Sequence, residues 1–136
     1  MIKKLYENHT VSSIAYHIVW CTKYRHPVLT PEVEFVVRRT IGQACIEYDW
    51  SIVSLEIMPD HVHVFIQANP TDNPASIAKT LKSLTAIAVF STFPKLKGQK
   101  FWGSGLWSRG TFYSSVGNVS QEIIKKYIEN QKTRKN

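Results

Sequence analysis

The sequence predicts an α+β fold built on one antiparallel sheet, and three observations carry that prediction. Four segments are rich in β-branched and aromatic residues, two helical apolar stripes open at Thr30-Pro31 and Asn73-Pro74, and the segments follow one another as strand, helix, strand, strand, helix, strand. The 136 residues are read as a single domain, with an ordered core over about 12–131 and a short basic C-terminal tail. A chain of that length, 43% hydrophobic and 20% charged, has enough apolar surface to bury a core. No apolar run approaches the roughly 20 residues of a bilayer span, so no membrane contact is expected. Lys3 and Lys4 have no apolar segment behind them, so no secretory leader is expected. Cys21 and Cys45 form no disulfide framework, which favours a reduced cytoplasm.

Ser12 to Lys23 reads as the first strand, with apolar residues at both parities, and Arg25, His26 and Pro27 break it. Thr30 caps a helix that has Pro31 at its first position and Glu32 and Glu34 in its first turn, where acidic groups suit the dipole. Val33, Val37, Ile41, Ala44 and Tyr48 are its apolar stripe. Trp50 to Met58 is the second strand, Pro59-Asp60 a turn, and His61 to Gln67 the third strand. Asn73-Pro74 opens a second helix with its stripe through Ile77, Leu81, Leu84 and Ala88, and Pro94 ends it. A loop with Gly98, Gly103, Gly105 and three lysines leads to a fourth strand near Leu106 to Val116. Gly117 and Asn118 precede a last helix, about Val119 to Lys132.

That order is the ferredoxin-like split βαβ arrangement, extended by a C-terminal helix that carries Tyr127. It puts the first two helices on one face of an antiparallel sheet and leaves the other face for function.

The third strand reads His61-Val62-His63-Val64-Phe65-Ile66. Side chains alternate along a strand, so His61, His63 and Phe65 share one face and the Val62, Val64, Ile66 set shares the other. The valine face belongs under the helices, which sends both imidazoles to the opposite face. Two imidazoles so placed can bind one divalent ion, although a packed or surface pair of histidines would carry the same pattern. On the last helix Ile124, Tyr127, Ile128 and Gln131 fall on one face. Gln131 occupies a position where a hydrophobe would normally dock. A buried amide without a partner costs on the order of 1–3 kcal/mol, and a metal held by the histidines would suit its carbonyl oxygen.

Pro59-Asp60-His61-Val62-His63, the strand around Tyr16-His17-Ile18-Val19-Trp20, and the ending Tyr127-Ile128-Glu129-Asn130-Gln131 together resemble the single-tyrosine HUH transposases of the insertion sequence 200/605 family. The resemblance runs from about Ser13 to Gln131; one local departure is Gly110-Thr111-Phe112-Tyr113, where an aromatic is expected directly after the glycine. It implies that His61, His63 and Gln131 bind one Mg²⁺ or Mn²⁺ and that Tyr127 attacks a DNA phosphodiester. The product would be a 5′-phosphotyrosine that a second strand end resolves without ATP. A homodimer is implied as well, in which Tyr127 of one chain could serve the histidines of the other, as is an imperfect DNA hairpin as partner. Nitrogen and amide-oxygen ligation suits Mn²⁺ better than Mg²⁺. Zinc usually takes a third His, Cys or carboxylate, for which His17 and Glu56 are the residues in range. If Pro59-Asp60 is a two-residue turn, Glu56 pairs with His63 and could orient an imidazole or touch the metal, or it could be an edge carboxylate in solvent. Pro59 does not suit the turns that two-residue hairpins prefer, and Asp60 is read as shaping the turn.

The formal charge of +7 and a pI near 9.5 fit a polyanion partner, although charge alone does not separate that from a solvated basic surface. Lys79 and Lys82 share a helix face, and Lys95, Lys97, Lys100, Phe101, Trp102, Trp107 and Arg109 mix cations with rings, a pattern suited to single-stranded DNA. The same residues also fit a domesticated or non-mobile HUH nuclease, a non-catalytic nucleic-acid module on the same fold, or a zinc phosphoesterase using His17, His61 and His63.

Overall fold

In the computed structural model, residues 14–101 and 103–117 are described. The last helix, with Tyr127 and Gln131, and Trp102 lie outside the described residues. Four strands form one sheet: β1 (Ile14–Thr22), β2 (Ser51–Met58), β3 (His61–Ala68) and β4 (Trp107–Gly117). Their spatial order is β2-β3-β1-β4 with every neighbouring pair antiparallel. This is the ferredoxin-like order expected when each crossover helix skips one strand position.

The helices form where the sequence places them. In α1 (Pro31–Glu47) the Thr30 hydroxyl accepts from the Val33 amide at 3.5 Å, with Pro31 in the first turn. In α2 (Pro74–Thr92) the Asn73 side chain accepts from the Ala75 amide at 2.8 Å. Both helices lie on one face of the sheet, where Val33, Val37, Ile41, Ile77 and Leu81 pack against Tyr16, Ile18, Trp20, Val62, Val64 and Ile66. None of the described helices is long and apolar enough to cross a membrane.

Three expectations change. Pro94 does not open a loop: after the break at Phe93 it starts a short helix, α3 (Pro94–Phe101). Proline lacks only an amide that a first turn leaves unpaired anyway, so the residue that stops one helix also suits the start of the next. Phe101 at its end is fully buried and anchors it to the core. Tyr48 leaves the apolar stripe, because α1 stops at Glu47 and Asp49 turns the chain at φ 59°; its exposed ring stacks on Trp50 instead. In α2 the buried line runs through Ile77, Ala78, Leu81, Thr85 and Val89, while Leu84 and Ala88 are half-buried. Thr85 is tolerated in the core because its hydroxyl donates to Leu81 O at 2.7 Å and accepts from Trp107 Nε1 at 2.9 Å.

Cys45 is buried in α1, and that burial pushes its thiol up to about 12. Its neutral form therefore contributes stability that is fully present below the ordinary thiol value of 9.0 and is lost as pH rises toward 12. At pH 8 iodoacetamide should label half-exposed Cys21 and leave Cys45 untouched in the native protein, read by peptide mass spectrometry. Equal labelling of both would contradict the burial of α1.

Candidate metal and DNA-processing site

The site is set by the β2–β3 hairpin. Pro59 and Asp60 do form a two-residue turn, which pairs Met58 with His61 and Glu56 with His63. Neither turn residue adopts positive φ. The turn is held from outside instead: Thr22 N donates to Asp60 O at 2.9 Å and Leu29 N to Pro59 O at 3.0 Å. Tertiary hydrogen bonds thus override the local preference that argues against proline there.

His61 and His63 lie on the sheet face opposite α1 and α2, as the alternation requires, since Val62, Val64 and Ile66 are fully buried on the helix side. The His61 Nδ1–H donates to Asp60 Oδ1 at 2.9 Å. His63 Nδ1 faces Glu56 Oε1 at 3.8 Å, ion-pair range rather than a hydrogen bond. His61 Nδ1 thus has a bonded carboxylate behind it and His63 Nδ1 a carboxylate in ion-pair range, a layer of the kind that orients metal-binding histidines. The donor chemistry fits a divalent cation.

His17, on β1, is brought to the same place. Its Nδ1 lies 3.2 Å from His63 Nε2, and its ring stacks on Phe65 with centroids 4.2 Å apart. Burial, and then the nearby His63, lower its pKa, so its neutral form is favoured. Among the described residues no three His, Cys, Asp or Glu side chains are arranged to hold a metal. His17 and Glu56 thus do not complete a three-ligand set with His61 and His63 there.

Asp60 shapes the turn, as expected, and its side chain also joins two neighbours. Its Oδ2 accepts from Arg25 Nε and Nη2, each at 3.0 Å, while Oδ1 holds His61. The bonds from His61 and then Arg25 hold its carboxyl below the usual carboxylate range. Arg25 comes from a 3₁₀ turn, Lys23–Arg25, in which Tyr24 (φ 60°) and Arg25 (φ 55°) are both left-handed. Such backbone costs of order 1–3 kcal/mol per residue outside glycine. In the sequence Arg25 reads only as a strand breaker. The signal available for Asp60 was its place directly before His61.

The basic residues separate into two kinds. Lys82 spends its ammonium inside the protein, on Ser108 O at 2.9 Å, Thr111 Oγ1 at 3.0 Å and Arg109 O at 3.4 Å. It ties α2 to β4, and burial lowers its pKa. Lys79 and Arg109 are exposed and, with Tyr113, line a cleft of about 320 Å³ between the same two elements. Lys95, Lys97 and Lys100 are exposed on α3, with Lys97 over the Phe90 ring at 5.5 Å and Lys100 at the rim of a second cavity of about 350 Å³ beside His26 and Phe93. Phe101 and Trp107 are core residues, buried.

Fold and site together define a ferredoxin-like α+β protein with a His-x-His strand on the sheet face turned away from its helices. Residues 10–131 match the family described as "Transposase IS200 like". The chain is 35% identical over 121 residues to the ISDra2 transposase TnpA of Deinococcus radiodurans, covering 89% of this chain and 86% of the relative. To the transposase for insertion sequence element IS200 of Salmonella typhimurium it is 28% identical over 127 residues, covering 91% and 83%. Among solved structures it is similar to a candidate transposase from Deinococcus radiodurans R1, with a TM-score of 0.68 and 38% identity over 88% of this chain and 91% of that one. A REP-associated tyrosine transposase bound to a REP hairpin shares the fold, with a TM-score of 0.58 and 16% identity over 85% of this chain and 61% of that one. The chain belongs to the IS200-like transposases, enzymes that act on DNA.

Because Lys82 closes the α2–β4 seam, Lys82→Ala should lower the unfolding free energy by about 1–2 kcal/mol, whereas Lys79→Ala should stay within about 0.5 kcal/mol of the parent. Urea denaturation checks both; equal effects would remove the structural role given to Lys82.

Proposed function

We propose that this chain cuts and rejoins single-stranded DNA at insertion-sequence ends, using Tyr127 as nucleophile and a Mn²⁺ or Mg²⁺ held by His61, His63 and Gln131. The observation that carries the reading is the pair of neighbouring histidines on one sheet face, each with a carboxylate behind its Nδ1. Metal-binding histidines almost always pass their other ring N–H to a carboxylate, a backbone carbonyl or water, and both histidines here have a carboxylate on that side. Tyr127 and Gln131 lie outside the described residues and enter the proposal through their spacing and the family.

When bound, the divalent ion supplies charge screening at the phosphate oxygens and orients the phosphorus. The chain's own residues do the rest. The Tyr127 phenol loses its proton to water as its Oη bonds to phosphorus. The bond from phosphorus to the 3′ oxygen breaks, and that oxygen takes a proton to leave as a 3′-hydroxyl. A phenol of ordinary pKa is ionised only to about one part in a thousand at neutral pH, so alignment with the phosphorus must supply much of the rate. In the second step another 3′-hydroxyl attacks the phosphotyrosine, the Tyr127–phosphorus bond breaks and the phenol regains a proton. One phosphodiester is exchanged for another, and no nucleotide cofactor is needed.

Lys79, Lys95, Lys97, Lys100 and Arg109 are exposed cations suited to phosphate contacts, with Trp102 assigned by sequence as a stacking ring. Lys82 would contribute chiefly by keeping Arg109 and the β4 edge in place. Hairpin DNA as partner is supported by the shared fold of the REP-associated transposase, which was solved with a REP hairpin. A homodimer is supported by β4, an 11-residue strand at the edge of the sheet among the described residues, with Phe112 and Tyr113 exposed at 65% and 45%. A long edge strand presents a row of backbone N–H and C=O groups that can pair with another chain.

The test is a labelled pool of imperfect-hairpin single-stranded oligonucleotides with randomised flanks, incubated with Mn²⁺ and run on a denaturing gel. A protein–DNA adduct is expected, reduced to background by Tyr127→Phe, by His61→Ala or by EDTA. Cleavage that survives Tyr127→Phe would sink the tyrosine mechanism.

A further inference from the structure

The turn Lys23–Arg25 is built with more care than an exposed ion pair warrants. Tyr24 and Arg25 are consecutive left-handed residues, neither of them glycine. Three bonds fasten the ends of that turn: Thr22 Oγ1 to His26 O at 2.7 Å, Thr22 N to Asp60 O at 2.9 Å and Lys23 N to Leu106 O at 2.8 Å. The outcome is that the Arg25 guanidinium meets Asp60 Oδ2 through both Nε and Nη2 at 3.0 Å. The Arg25 side chain is 63% exposed, and pairs that open to solvent add little to stability. Unfavourable backbone retained for an interaction of little stabilising value points to function.

Asp60 shows what that function is. A carboxylate bonded through one oxygen can still rotate about its own axis and swing the ring it holds. Here Oδ1 holds His61 Nδ1 at 2.9 Å while Oδ2 is gripped by the Arg25 fork, so the carboxylate plane and the imidazole are set together.

We propose that Arg25 is a positioning residue for the cation site, acting through Asp60 to fix the His61 ring with Nε2 toward the metal. This rests on the metal-dependent reading above. It makes Arg25–Asp60–His61 one unit, so its members should not act independently. It also sets Arg25 apart from the basic residues suited to DNA, because its effect should be seen with the metal alone. Lysine at position 25 would offer a point charge in place of the fork and should restore only part of the effect.

The deciding variant is Arg25→Gly. Glycine adopts φ 55° without steric cost, so this change should leave the melting temperature unchanged or raise it while weakening Mn²⁺ binding. The measurement is titration of the full chain with MnCl₂ in the absence of DNA, following free Mn²⁺ by electron paramagnetic resonance, with thermal unfolding run in parallel. Arg25→Gly and Asp60→Ala should each raise the Mn²⁺ Kd about tenfold, the scale of lost outer-sphere partners. The double variant should be no weaker than Asp60→Ala alone, and Arg25→Lys should recover part of the loss. A parent-like Kd in Arg25→Gly, or fully additive effects of the two changes, would overturn the role of Arg25 and leave the metal reading intact. A parent protein that binds no Mn²⁺, or a His61→Ala variant that binds as the parent does, would overturn the metal reading and this inference with it. An Arg25→Gly protein that keeps its Mn²⁺ affinity but loses affinity for single-stranded DNA in EDTA would identify Arg25 as a phosphate contact instead.

Discussion

Burial of Val62, Val64 and Ile66 against the two crossover helices is the constraint on which the rest of the structure depends. β3 is an inner strand, paired with β1 on one side and β2 on the other, so its register cannot slip without breaking both ladders. With the aliphatic set fully buried, alternation sends His61 and His63 to the opposite face. A shift of one residue would exchange the two sets and bury both imidazoles under α1 and α2. The energetics of the core therefore locate the two histidines.

Around that strand the neighbouring elements are arranged to hold the histidines. β2 brings Glu56 opposite His63, and β1 brings His17 against it. The turn after β1 delivers Arg25 to Asp60, and its own backbone is fastened to Leu106 just before β4. β4 is in turn closed onto α2 by Lys82 and by Trp107, whose indole reaches Thr85 and Lys82 O. Polar bonds between elements thus link the edge strand to the site. Apart from the exposed Arg25–Asp60 pair, the side-chain bonds among them join half-buried or buried groups, where a lost partner costs more than the bond itself contributes.

The same seam explains why the basic residues are not equivalent. Lys79 and Lys82 are neighbours on one helix face, yet one faces solvent and the other caps carbonyls and a hydroxyl of β4. Membership in the IS200-like transposases agrees with a surface that keeps several cations exposed while committing one to the fold. Arg25 shows a third use of a cation, in which its partner is a carboxylate that already holds a histidine.

Much of this was legible in the sequence, for physical reasons that can be named. Period-two alternation in His61-Val62-His63-Val64 determines which face carries the imidazoles, and the Thr30-Pro31 and Asn73-Pro74 starts fix where the helices begin, because these signals are local. The Glu56–His63 register followed from the turn length alone, although proline argued against that turn. Tertiary structure decided what depends on residues far apart in the chain. Thr22 and Leu29 hold the Pro59-Asp60 turn, Ser108 and Thr111 occupy Lys82, and the buried Phe101 allows a helix after Pro94. The partnership of Asp60 with Arg25 spans 35 residues and needs two left-handed backbone positions that no residue type in the turn announces. The strand pattern thus determined that histidines would meet on one face, and long-range hydrogen bonds decided how each imidazole is held there.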